Sequence, residues 1–228
     1  MVIQHAYLRQ LRKIFHDYAL VRRAIIDASN QALHIAKRAI FSLHRGDKQE
    51  AAAKLREAER IFLDLRKKYQ RHERIADEGA YQAAVEEFVE ATLFYSWVDE
   101  KKIGKITTFP VHGEQYLAGL CDVPGELYRY AIAAATKHDQ ATVIACAETA
   151  REIIGELIEF NLTSYLRTKF DQAKQATHKL EQVGYETSLR CVGVREPRRD
   201  IGVLGRWSFA TAFAVSAAGV ARDRAGLE

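Results

Sequence analysis

The chain has 228 residues, 48% of them apolar and 28% charged, which gives material for one large domain or two small ones and the balance of a globular protein. Its three cysteines (Cys121, Cys146, Cys191) are an odd number without close spacing, which excludes a disulfide framework and a cysteine-based zinc site and fits a reducing cytoplasm. The net charge is a modest +4, and only three prolines occur, at 110, 124 and 197, so long uninterrupted helices are open to most of the chain.

Met1 to His5 begins a charged amphipathic helix and lacks the apolar core of a secretory signal. Over residues 2–45 the apolar positions Leu8, Leu11, Phe15, Ala19, Ile25, Ile26, Leu33, Ile40 and Leu43 recur every three to four residues, which predicts a long first helix. His44-Arg45-Gly46-Asp47 supplies a basic last turn, a glycine and an Asp able to cap a second helix over about 48–73. A third helix is expected over 79–100, a connector broken by Gly104, Pro110 and Gly113 over 101–113, and further helices over 114–137, 139–160 and 163–190. No stretch alternates with a period of two between turn signals. The fold class is therefore all-α, a bundle of six or seven roughly antiparallel helices over residues 1–190. Residues 191–228 form a tail: a linker around Val194–Asp200, then a fifteen-residue apolar stretch, Trp207–Ala221. That stretch is shorter than the roughly 20 residues of a membrane span, and no membrane role is expected.

Charge is segregated along the chain. Residues 1–75 carry a net +9, residues 76–160 a net −9 and residues 161–228 a net +4. A basic element beside an acidic one suits a metal-using enzyme acting on a polyanion, because lysine and arginine attract phosphate while carboxylates hold the metal. Opposite-sign helices packed on each other give the same pattern.

The acidic segment holds two carboxylate pairs. Glu87 and Glu90 are three residues apart and Asp122 and Glu126 four apart, so each pair shares a helix face. Like charges so placed repel unless a cation sits between them, and a hard divalent ion takes oxygen ligands from more than one element. Two solvated helix faces are the plainer alternative. The flanking residues, Ala91–Phe94 and Tyr116–Cys121, are among the least polar of the chain, where an unpaired acid is costly to bury. A di-metal carboxylate bundle of the oxygen-activating kind needs Glu-x-x-His, and no such motif forms. The histidines (His5, His16, His34, His44 and His72 among them) offer no pair at ligand spacing; His44 reads as a helix C-terminal residue or phosphate contact rather than a general base.

Five motifs occur together in order: Lys37-Arg38-Ala39-Ile40-Phe41-Ser42-Leu43-His44-Arg45; Glu87-Phe88-Val89-Glu90-Ala91; Tyr116-Leu117-Ala118-Gly119-Leu120-Cys121-Asp122; Gly125-Glu126-Leu127; and Leu166-Arg167-Thr168-Lys169-Phe170-Asp171. Through them the chain resembles the translin and translin-associated factor X (TRAX) family over about residues 7–190. At Glu87, Glu90, Asp122 and Glu126 it looks like the TRAX-type, nucleolytic subunit rather than the translin type, which has lost most of those acids. The resemblance implies a protein that binds single-stranded RNA or DNA and is a metal-dependent endoribonuclease, with Mg²⁺ or Mn²⁺ held by those four acids. It also implies nucleic-acid contacts at Arg23, Lys37 and Arg38 inside a closed homo-oligomeric shell, most simply an octamer, with a translin-like subunit as a further partner. The rival it leaves is a nucleic-acid-binding shell without catalysis. Pro124 departs from the TRAX pattern: it removes a backbone N–H between Asp122 and Glu126 and is expected to bend the helix there.

Overall fold

The structure, a computed structural model, describes residues 4–69 and 77–193, with side chains up to 189. Six helices follow in order: α1 (His5–His44), α2 (Lys48–Lys68), α3 (Gly79–Glu100), α4 (Gly113–Thr136), α5 (Gln140–Ile158) and α6 (Ser164–Gly193). No strand occurs among the described residues. They belong to one compact unit, Met1–Val194. The tail beyond it, with its expected linker and apolar stretch, lies outside the described residues, as does 70–76, which holds the expected end of the second helix. None of the described helices is long and apolar enough to cross a membrane.

The turns form as their residues dictate. Gly46 takes φ +82°, a left-handed conformation that glycine adopts without penalty. Asp47 then caps α2 by accepting the Glu50 N–H at 2.8 Å. Asp139 caps α5 in the same way, from Thr142 N–H at 3.0 Å. Lys101, at φ 57°, ends α3.

Packing joins α1 to α2 and α3, while α4 lies against α3, α5 and α6. Phe62, Phe94, Trp97, Leu93 and Leu127 are fully enclosed. Phe62 stacks on Phe109 at 5.1 Å and meets Phe88 edge-on at 5.6 Å, so the 101–112 connector is pinned onto the α2–α3 face. Leu93, Phe94 and Leu120 are buried as their apolar surroundings suggest; Leu117 is only half-buried, because it lies on the edge of the α4 face turned to the core. Burial in α1 begins at Ile25, and the turns before it expose Tyr7, Leu8, Ile14, Phe15 and Leu20.

Candidate metal and nucleic-acid site

The α3–α4 contact is set by a glycine. A Cβ on Gly119 would stand 2.8 Å from the Glu86 carbonyl oxygen and 2.7 Å from Val89 Cγ1, so only a residue without a side chain lets the two backbones meet there. That contact lies on the α3 turn bearing Glu86, Glu87 and Glu90, and one turn before Asp122 on α4. Both acid pairs are thereby brought within electrostatic reach of each other: Asp122 and Glu126 each act on Glu87 and on Glu90. α4 continues as helix through Pro124 from Gly113 to Thr136. The proline has no N–H to offer the Leu120 carbonyl, yet Asp122 and Glu126 stay on one helical segment.

The four acids differ in their company. Glu126 is buried; its Oε2 is 2.5 Å from His44 Nε2 and its Oε1 accepts from Arg129 Nη1 at 2.9 Å. Asp122 accepts a hydrogen bond from the Lys169 ammonium of α6, which also lies 3.5 Å from Glu86. Burial works against a charged Lys169, but the bond and attraction to Asp122 outweigh it and raise its pKa. Glu87 has Lys37 at 3.7 Å; burial nevertheless raises its pKa, with the charges of Asp122 and Glu126 adding to the effect and Lys37 opposing it. Glu90, 8% exposed, has no ion pair or hydrogen bond among the described residues. Desolvation, then the charges of Asp122, Glu87 and Glu126, push its carboxyl well above the usual range.

Five carboxylates (Glu86, Glu87, Glu90, Asp122, Glu126) thus share three permanent cations (Lys37, Arg129, Lys169), a formal excess of two negative charges. Such an excess is met by protons or by a cation. The donors are all oxygen and the excess equals one divalent charge, which is the chemistry of a hard ion such as Mg²⁺ or Mn²⁺. The side chains meet as charges rather than as a closed ligand set: among the described residues no three His, Cys, Asp or Glu are gathered as metal ligands. Cys121, beside Asp122, is no candidate ligand or nucleophile, since burial and then the Asp122 charge push its thiol up to about 11.

Of the three basic residues, Lys37 is bound to Glu87, so it serves the acid site rather than standing free. Arg23 and Arg38 are exposed on α1 and have no side-chain partner among the described residues. His44 does end α1, but its ring also meets Glu126 and packs 5.2 Å from Phe94, a role that its place among basic residues does not suggest. Glu86, Tyr165 and Lys169 are site residues that the sequence alone does not single out. The signals it does carry are the i,i+4 spacing of Glu86 and Glu90, and a lone lysine inside the Leu166–Asp171 motif.

The Translin family model matches residues 20–191. No curated protein matches the sequence. Among solved structures, apo-NeC3PO superposes with a TM-score of 0.73 at 19% identity, covering 82% of this chain and 99% of that one. AfC3PO gives 0.75 at 23% identity, covering 82% and 99%. An AfC3PO–duplex RNA complex gives 0.73 at 22%, covering 82% and 98%. At these identities the likeness is one of fold. With the family model spanning most of the chain, and carrying both acid pairs within it, the chain belongs to the Translin family.

Proposed function

We propose that the protein is a TRAX-type, metal-dependent endoribonuclease that binds and cleaves single-stranded RNA, and binds single-stranded DNA through the same basic residues. The observation that carries this reading is Glu90: a buried carboxyl with no ion pair or hydrogen bond among the described residues, in a group of five acids that outnumber their cations by two. A stability-driven core has no reason to hold such a group. Glu87, Glu90, Asp122 and Glu126 are the residues that would hold Mg²⁺ or Mn²⁺. Bound there, the ion supplies Lewis-acid chemistry, lowering the pKa of water and offsetting charge on the phosphodiester.

The chain's own residues do the rest. Lys169 holds Asp122 toward α3 and keeps part of the acidic charge compensated when no cation is present. His44 and Arg129 fix both oxygens of Glu126. Arg23 and Arg38 supply positive charge for the phosphate backbone, which gives affinity without sequence preference. A solved relative of the same fold is a complex with duplex RNA, and this supports nucleic acid as the ligand. The working assembly in this reading is a closed shell of identical subunits, an octamer, to which a translin-like subunit is a possible addition; closed symmetry satisfies exposed apolar surface such as that of α1.

A second reading, a nucleic-acid-binding shell without catalysis, is favoured by one observation: Asp122 and Glu126 already have partners in Lys169, His44 and Arg129. The two separate in a nuclease assay of the purified chain on single-stranded RNA with Mg²⁺, Mn²⁺ or EDTA. The nuclease reading expects cleavage with metal, none in EDTA, and loss by orders of magnitude in Asp122→Asn with RNA binding retained. RNA that stays intact under every metal, or cleavage indifferent to EDTA, hands the chain to the second reading.

A further inference from the structure

A cavity of about 980 Å³ opens beside the acid site, where the N-termini of α3, α4 and α6 come together at Gly79, Gly113 and Ser164. Its size is that of a small-ligand pocket. Gln115 lines it, is 7% exposed, and its amide makes no hydrogen bond among the described residues. Among the described residues the enclosed unpaired polar atoms are those of Ser29 and Thr92, not Gln115, so the Gln115 amide opens to the cavity with donor and acceptor both available to an entering group. Tyr165, a residue 54% exposed, lines the same cavity, and its hydroxyl donates to Glu86 Oε2 at 2.7 Å. The Lys169 ammonium, 5.4 Å from the centre of that ring, steadies it further.

The walls decide the class of ligand. Asp77, Glu86 and Glu114 face the cavity, so a phosphate placed inside would be repelled despite the three helix N-termini. What fits is a neutral, planar group rich in N–H donors, with an edge that both gives and takes hydrogen bonds. A nucleobase has all of these: it stacks on tyrosine, and glutamine amides pair with base edges. Glu86 is the shared wall, since the lysine that approaches it also bonds Asp122. A base in this cavity therefore puts its own phosphate next to the acid site.

We propose that the cavity is a nucleobase pocket, with Tyr165 as stacking platform and the Gln115 amide as reader of the base edge. That the base belongs to the nucleotide beside the cleaved phosphate rests on the nuclease reading; the pocket itself does not.

The test uses the full chain in EDTA, so that binding is read without cleavage, and a short single-stranded oligoribonucleotide carrying one 2-aminopurine. Stacking on Tyr165 quenches the probe. Tyr165→Ala, an exposed position with little cost to folding, is expected to abolish the quench and weaken binding about tenfold. Tyr165→Phe, which keeps the ring, is expected to retain both. Gln115→Leu keeps the volume and is expected to retain the quench while flattening differences in affinity among the four homopolymeric RNAs. Unchanged quench and affinity in folded Tyr165→Ala, together with unchanged preference in Gln115→Leu, overturn the proposal. A normal quench with no metal-dependent cleavage upholds the pocket and sinks the nuclease reading; normal cleavage with no Tyr165-dependent quench does the reverse.

Discussion

Glu90 and Glu126 lie on neighbouring helices and are equally buried, but opposite responses to the same substitution are expected of them. Glu90→Gln removes a buried acid that three other acids oppose and only the attraction of Lys169 offsets, so the metal-free protein should melt a few degrees higher. Glu126→Gln removes the charge that His44 and Arg129 hold, and should cost about 1–3 kcal/mol. Calorimetry in EDTA checks both. The pH dependence follows from direction alone. Glu90 titrates higher in the folded state than unfolded, so above the ordinary carboxylate range the folded protein binds more protons, and stability falls as pH rises towards the raised folded value. Wild type should therefore lose stability across that window by more than Glu90→Gln does, and added Mn²⁺ should restore wild type more than the variant. The pair spacing shows which acids share a face. It does not show which acid goes without a partner, because Lys37, His44, Arg129 and Lys169 reach the site from three different helices.

Between elements, the decisive contact is α3 on α4 at Gly119. Gly119→Ala must push Val89 and the Glu86 carbonyl away, and should cost about 1–3 kcal/mol as an overpacked contact. It should also separate the two acid pairs, so the fall in Mn²⁺ affinity should exceed what Gly125→Ala causes on the same helix, where a Cβ meets nothing; Mn²⁺ titration of the two variants measures this. Helix number, order and caps are legible in the sequence because each rests on local residues: the apolar period of α1, Gly46 and Asp47 between α1 and α2, and Asp139 before α5. The α6 contribution is not, since Lys169 meets Asp122 across 47 residues of sequence and no local pattern encodes that. Pro124, the expected point of bending, lies inside an unbroken helix.

At the scale of the whole molecule, the basic first segment and acidic middle are partly spent on each other, as Arg22–Glu78, Lys37–Glu87 and Lys48–Asp99 show. The basic residues left over are the ones to test. Replacing Arg23 and Arg38 by Ala should weaken RNA binding alike for all sequences, and should lower the log–log salt slope by about one unit for each phosphate no longer neutralised. Lys37→Ala should instead act on the stability of the acid site. For assembly, light scattering at micromolar concentration should find no monodisperse monomer. The leading half of α1 gives that expectation a finer readout. α1 runs about 60 Å, yet no residue before Ile25 is fully buried. Its first hydrogen bond to another element among the described residues is that of Tyr18 with Glu78, so the turns ahead of Tyr18 have little beyond their own ladder to hold them. Their amide protons should exchange with deuterium far faster than those after Ile25 when subunits are dilute, and slow down as concentration rises. The leading turns of α1 are thus a clock for assembly, readable without labelling the chain or altering any side chain.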